Sequence, residues 1–363
     1  MIGPCLRRLG PIRVWQDMPV TGFARKTVAV VAGSYVFRRF LFMLFVVLVA
    51  SSLVFFLTRL TGQDGLERRF RVDEARMSRM TEAQQEGARK LEARFGFSRP
   101  LWQQYVSYLW RLARFDLGYS MTYYPITVNR IVADSVFWTL GLLSVTTVLA
   151  FVVGTVLGGL LGWPDSPGWF KVAFVPVMTL SAVPYYLLGL LLVFLLAFRL
   201  SLFPLSGGYT PGTLPERSLK FAWDVVNHSL LPALSIIVSS VGFWALSMRG
   251  MVVTVLGEDF MTQGRAKGIK AARLFLRYGI RNAMLPQATG LAISLGTILS
   301  GVVLVEIIFR YPGLGDALHR AIRRYDYSVI SGLIYVIVLS LAFATFLIDV
   351  LYPRLDPRVR WRA

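Results

Sequence analysis

The chain predicts an all-α fold, a polytopic membrane protein with six transmembrane helices, and three observations carry that prediction. Composition is the first: 55% of its 363 residues are hydrophobic and only 16% are charged, far from the balance of a soluble domain. The second is a set of six windows free of Asp, Glu, Lys and Arg, each able to cross a bilayer core, which takes about 20 residues of helix. They lie between Arg39 and Arg59, Asp134 and Asp165, Lys171 and Arg199, Asp224 and Arg249, Arg281 and Glu306, and Asp326 and Asp349. Third, most of the net charge of +19 falls on the two tails and on one loop, Arg249 to Arg281. Lys and Arg collect on the cytosolic side of membrane proteins, so both termini and that loop are expected inside. Arg320, Arg323 and Arg324 run against this trend on the outside. The basic balance thus reports topology and contact with anionic lipid heads, and calls for no nucleic-acid partner.

Taken in order, residues 1–35 form a cytosolic N-terminal extension. Its apolar run between Lys26 and Arg38 is too short to span, and it lacks the small-residue cleavage site of a signal peptide. Residues 36–60 hold the first transmembrane helix, and 61–131 make an extracytoplasmic segment. Within that segment Glu67 to Glu92, rich in Arg, Glu, Gln, Ala and Met, is expected as a solvated helix. Ser98 then suits an N-cap and Pro100 a first helical turn. Leu101, Trp102, Tyr105, Val106, Leu109, Trp110 and Ala113 share one face of an amphipathic helix suited to the membrane interface. Residues 132–352 contain the other five helices and the polar loop 249–285, and 353–363 form a cytosolic tail.

Four windows carry small or polar residues at helical spacing. In the second, Gly154, Gly158, Gly159 and Gly162 let another helix approach closely. The third holds Pro176 and Pro184 with Ser181 between them, and proline there both bends a helix and frees carbonyls that a neighbour or a wet cavity must satisfy. Ser235, Ser239 and Gly242 form a stripe in the fourth window, and Gly290, Ser294, Thr297 and Gly301 form one in the fifth. Each stripe suits either helix packing or a path for a polar solute; with Ser181, these residues are the candidates for a solute pathway.

The loop between the fourth and fifth windows organises the rest. Glu258 and Asp259 open it, where a helix N-terminus favours acidic residues. Arg265, Lys267, Lys270, Arg273, Arg277 and Arg281 follow. Ile269, Ala272, Leu276 and Ile280 recur at helical spacing and predict an amphipathic second half held against the spans. Gly264 and Gly268 interrupt the first half, which predicts two short helices meeting at a glycine corner.

The run Arg265-Ala266-Lys267-Gly268, followed after a gap by Arg281-Asn282-Ala283-Met284-Leu285-Pro286, resembles the coupling motif of ABC-transporter permeases of the dipeptide/oligopeptide import type. The Glu-Ala-Ala wording of that motif is absent here. Phe97 to Gly118, Leu202 to Tyr209, Glu306 to Gly315 and Asp356-Pro357-Arg358 are similar to further blocks of the same family, whereas Thr61 to Gly65 departs from its outer turn after the first span. The resemblance implies a type I ABC importer permease fold in a bacterial or archaeal inner membrane. It implies a cytosolic loop docked on an ATPase through Asp259, Thr262, Arg265, Ala266, Lys267 and Gly268. It also implies four partners besides lipid: a homologous second permease, two ATPase subunits and an external solute-binding protein. Di- and oligopeptides are the solutes the family name suggests, with oligosaccharides and nickel complexes served by similar permeases.

Other classes fare worse on the residues. No Gly-x-x-x-x-Gly-Lys-Ser/Thr phosphate loop occurs, so no ATP site of that kind, no catalytic residue and no cofactor is expected. Cys5 is the sole cysteine and His228 and His319 are far apart, so no metal cluster is expected either. An ion-coupled secondary transporter would place ionisable groups mid-membrane, and the six windows have none of the four charged types. A hydrolase would need a Ser–His or His-Glu-x-x-His arrangement. A bare membrane scaffold leaves the loop unexplained.

Overall fold

The computed structural model describes residues 23–70, 100–296 and 303–355, and these are mostly helical, with no strand among them and the longest described connection over 200–218. The expected solvated helix beyond residue 70, the Ser98 cap, Thr297, Gly301 and the Asp356-Pro357-Arg358 block lie outside the described residues. Helix α1 spans Phe23–Phe70, running through both ends of the predicted first span and through Thr61 to Gly65 without a turn. Helix α2 is Leu101–Ala113, and Pro100 stands at its N-cap rather than inside its first turn. Trp102, Val106 and Trp110 leave their faces exposed, while Tyr105 stacks on Phe56 and shares a 2.7 Å hydrogen bond with Ser52 of α1. The apolar face is therefore divided between α1 and the surroundings.

Helix α3, Val128–Gly162, and helix α7, Leu219–Leu256, form the most extensive pair in the fold. Their contact follows from the glycine spacing. A Cβ on Gly154 would lie 2.5 Å from the Cβ of Trp244, one on Gly158 would strike the backbone of Ala245, and one on Gly162 would lie 2.9 Å from Val252. Small residues let helices in lipid approach to van der Waals contact, the chief attraction left once solvent is apolar.

Between them the third window is broken. Helices α4 (Gly168–Ala173) and α5 (Val175–Ser181) meet α6 (Tyr185–Leu192), continued by a π turn to Arg199, at a bend of 98°. Pro184 is the N-cap of α6, consistent with a residue that cannot donate to the preceding turn. Among the described residues four helices are long and apolar enough to cross a membrane, five if the bent pair counts as one span. The predicted span between Arg281 and Glu306 is divided between α10 (Arg281–Gly296) and α11 (Val303–Phe309), with 297–302 not described.

After Leu256 the chain forms α8 (Asp259–Ala266) and α9 (Ala271–Leu274), which runs through a π turn, Phe275–Ile280, into α10. Beyond α11 come α12 (Leu314–Arg323) and α13 (Tyr327–Leu355). Helix α13 packs along α1, with Met43 and Val47 against Tyr335 and Ala342, and Arg39 lies 3.3 Å from Asp349.

At the end of α3 away from α8, buried acids hold the connections. Glu306 is 1% exposed; it accepts from Thr139 Oγ1 at 2.7 Å and from the Gly315 amide at 2.6 Å, while Thr139 accepts from the Leu314 amide. The Gly207 amide donates to the Phe309 carbonyl, and Trp138 stacks on Tyr209 and meets Tyr311 edge-on. Two of the blocks singled out in sequence, Leu202 to Tyr209 and Glu306 to Gly315, are thus packed together. Asp326, also 1% exposed, caps α13 and accepts from Ser120 Oγ and from the amides of Met121, Thr122 and Val329.

Candidate functional site

The basic loop is built as a hook. Glu258, extended at φ −75° and ψ 146°, ends α7 and starts α8 with its backbone alone, accepting from the Met261 amide. Helix α8 stops at Gly268, whose φ is +70°. The Gly268 amide donates to the Arg265 carbonyl at 2.9 Å and the Ile269 amide to the Gly264 carbonyl at 3.1 Å. This is the Schellman pair, which needs a left-handed residue that glycine adopts without strain. Nothing lies within 4 Å of where a Cβ on Gly268 would stand, so the constraint there is conformational and not steric.

Gly264 has the opposite reason: a Cβ would lie 2.6 Å from Leu274 Cδ1. That closeness lets α8 fold back on α9. Met261 and Leu274 are fully buried in the hook, and Phe275 lies 4.3 Å, ring to ring, from Trp163 at the end of α3. Met248, Val252, Phe275 and Ala283 form one buried cluster with Ile280 against it. The loop is therefore packed onto the ends of α3 and α7.

One expectation needs correcting. Leu276 is 64% exposed and does not hold the second half against the spans; Ala272 is exposed too. Leu274, Phe275 and Gly279 are the buried positions. The cause is the π turn, whose i→i+5 bonding adds a residue per turn and rotates the face that a 3.6-residue period would bury. Leu274 and Phe275 were missed for that reason; Met261, in α8 ahead of the π turn, was passed over although its apolar character in a basic loop was a usable signal.

Asp259, Thr262, Arg265, Ala266, Lys267 and Gly268 are all exposed on the outward side of this hook. Lys270, Arg273, Arg277 and Arg281 are exposed as well, and among the described residues none of the six cations is ion-paired. Predominantly positive charge, six cations to the two acids Glu258 and Asp259, on a packed mount offers a partner fixed geometry and long-range attraction.

The small-residue candidates fall into two groups. Ser181, Ser235, Ser239 and Gly242 meet where α7 crosses the break between α5 and α6. Ser181 Oγ donates to the Val238 carbonyl at 2.7 Å and accepts from the Gly242 amide at 3.0 Å. Ser239 Oγ donates to the Val183 carbonyl at 2.9 Å, inside the break, and the fully buried Ser235 donates to Pro232. Of these hydroxyls Ser239 supplies a donor to the interrupted backbone itself, which is what irregular backbone within a membrane requires, while Ser181 ties the end of α5 to α7. Gly290 faces the Trp244 ring, 3.4 Å from where its Cβ would be, and Ser294 is half-buried on the same helix. No group of three or more potential metal ligands occurs among the described residues.

Comparison with known proteins agrees with this architecture. Residues 150–361 match the family described as binding-protein-dependent transport system inner membrane component. The chain is 30% identical over 288 residues to the dipeptide transport system permease protein DppB of Escherichia coli K12, covering 75% of this chain and 84% of that one. A Brucella ovis protein named as a peptide permease is 30% identical over 334 residues, 90% and 98% of the two chains. The glutathione transport system permease protein GsiC of Escherichia coli O6:H1 is 28% identical over 339 residues, 91% and 99%. On this evidence the chain is a multi-pass, all-helical membrane permease and belongs to the family of inner-membrane components of binding-protein-dependent transport systems.

Proposed function

We propose that this permease carries di- or oligopeptides inward as one of two homologous membrane subunits, driven by two ATPases docked on its basic loop. The hook from Asp259 to Gly268 supports this reading most directly: it is mounted on the transmembrane helices, capped by a left-handed glycine, and turns unpaired cations outward. Asp259, Thr262, Arg265, Ala266, Lys267 and Gly268 form the docking corner, and Leu274 and Phe275 transmit its movement to α3 and α7. The peptide assignment rests on what DppB, GsiC and the Brucella protein are named as carrying. Six spans, both termini in the cytosol and residues 61–131 outside complete the arrangement, in a bacterial or archaeal inner membrane.

The solute pathway borders the break at residues 182–184, where Ser181, Ser235, Ser239 and Gly242 gather; Gly290 and Ser294 lie on α10, and the sequence spacing alone assigns Thr297 and Gly301 to the same stripe. A packing role for the same hydroxyls is compatible with the hydrogen bonds they make, and uptake measurements separate the two. The experiment for the whole reading is reconstitution in vesicles. The chain alone should hydrolyse no ATP, and solute should enter only when the second permease, the ATPases and the binding protein are all supplied. Appreciable ATP turnover by the chain alone would contradict it.

A further inference from the structure

Helix α2 divides its surface into three arcs, and each suits a different medium. Gln104, Tyr108 and Leu112 form a ridge turned to the spans: Gln104 and Leu112 are buried, and the Tyr108 ring lies 5.2 Å from that of Phe55. Tyr105, at the edge of this ridge, holds Ser52 and Phe56 of α1. To one side stand Trp102, Val106 and Trp110, which are 67%, 58% and 60% exposed. To the other stand Gln103, Arg111 and Arg114, all exposed. Residues four apart share one face of a helix, so an apolar flank and a polar flank run along α2 on either side of the packed ridge.

The partners of α2 also set its depth. Ser52 lies about two turns short of Arg59, where the first apolar window ends. Tyr335, whose hydroxyl donates to the Leu112 carbonyl at 3.2 Å, lies about two turns inside the start of α13. The helix is therefore held about 10 Å within the ends of two spans, the depth at which a helix lying in a membrane surface buries its apolar face. Leu53 and Leu57, beside these partners on α1, are 57% and 59% exposed, so α1 presents apolar surface at the same level. Arg114 lies over the Trp110 ring at 4.4 Å, which sets a cation at the rim of the apolar flank and suits the phosphate level of a leaflet.

We propose that α2 lies in the leaflet at the Arg59 end of α1, with Trp102, Val106 and Trp110 against the acyl chains and Gln103, Arg111 and Arg114 among the phospholipid headgroups. Phospholipid is the occupant because a bilayer surface is apolar on one side and wet on the other, and α2 carries that division along its length. A tryptophan at each end of the flank agrees, since its apolar ring and polar N–H suit the boundary between the two media. Seated in this way, α2 clamps α1 to α13 at the membrane surface and fixes the depth from which the connection to α3 departs. The inference rests on α1 and α13 crossing the bilayer, whatever drives transport and whatever is carried.

The test uses the complete chain with Cys5→Ser in phospholipid vesicles, alone and co-assembled with the other importer subunits. A nitroxide is attached singly at Trp102→Cys, Val106→Cys, Trp110→Cys, Gln103→Cys or Arg114→Cys. Its collisions with oxygen, which concentrates among acyl chains, are compared with its collisions with a water-soluble nickel chelate. Leu53→Cys supplies the lipid reference and Glu216→Cys the water reference. The oxygen-to-chelate ratio should be several-fold higher at 102, 106 and 110 than at 103 and 114 in both preparations, an alternation that an unfolded segment would not show. Equal ratios on the two flanks, or chelate access at 102, 106 and 110 matching the water reference, would overturn the proposal. So would loss of access to both reagents at those three positions on co-assembly, which would give the flank to a protein partner. Failure of the importer to assemble would strike the importer reading and leave the chain alone to decide the seating of α2.

Discussion

Single residues in this chain earn their identity from one of two constraints, space or backbone conformation, and the two give different predictions. Gly158 is a matter of space: any Cβ would strike the Ala245 backbone, whereas Gly141 on the same helix has nothing within 4 Å. Gly158→Ala should therefore cost roughly 1–3 kcal/mol through overpacking, lowering the thermal midpoint in detergent, while Gly141→Ala should leave it unchanged. Equal midpoints for the two would mean that α3 and α7 do not approach as described. Glu306 is a matter of pairing. Removing its carboxylate in Glu306→Ala leaves Thr139 and the Gly315 amide without their acceptor, at about 1–3 kcal/mol for each group stranded, and the same midpoint measurement would register the loss. Much of this scale was legible in the sequence: the glycine spacing of the second window and Gly268 both stood out. Leu276 was misread because a π turn cannot be seen in a 3.6-residue pattern. Glu306 stood out as the charged end of a window and the start of a family-like block, yet its pairing did not, since its partners Thr139 and Gly315 are distant in sequence or follow a turn.

At the scale of elements, the break between α5 and α6 is the place where α7 lends the Ser239 hydroxyl to an irregular backbone and α5 returns Ser181 to α7. Removing both donors in Ser181→Ala/Ser239→Ala leaves the Val238 and Val183 carbonyls without them. The average worth of such bonds in membranes is only about 0.6 kcal/mol, so the variant should still insert and co-purify with the ATPase. Uptake should nevertheless fall several-fold if the break borders the solute path. Full uptake with a lowered thermal midpoint would assign these hydroxyls to packing alone. Pro176 and Pro184 announced an irregularity here, yet not its 98° size, because a bend angle depends on what the two halves pack against. Leu274→Ala probes the hook: a cavity beneath Gly264 should cost about 2–5 kcal/mol locally and loosen α8 from α9. Coupling should weaken while insertion proceeds. An unchanged ratio of ATP hydrolysed to solute delivered would show that the hook needs no rigid mount.

For the whole molecule, hydropathy was enough to read a multi-pass helical membrane protein, because the bilayer imposes length; charge supplied an expected orientation, which labelling tests. Partner surfaces were less legible, as they depend on residues far apart in sequence meeting at one face. Topology has a direct check in a Cys5→Ser background, Cys5 being the sole cysteine. Glu216→Cys should react with an impermeant thiol reagent from outside and Lys267→Cys only from the cytosolic side, since both positions are exposed. Reaction of both from one face would overturn the arrangement.

The central claim is that the basic loop converts movement of an ATPase into movement of the transmembrane helices through a corner at Gly268. The most direct measurement is the amount of ATP hydrolysed per solute taken up in vesicles, together with co-purification of the ATPase, for the parent and for Gly268→Val. A β-branched residue at φ +70° is strained by about 1–2 kcal/mol or more, and no neighbour crowds the site to add a second effect. The account predicts that the variant inserts normally but either loses the ATPase or hydrolyses ATP without delivering solute. A variant that docks the ATPase and delivers solute at the parent's ratio would contradict it.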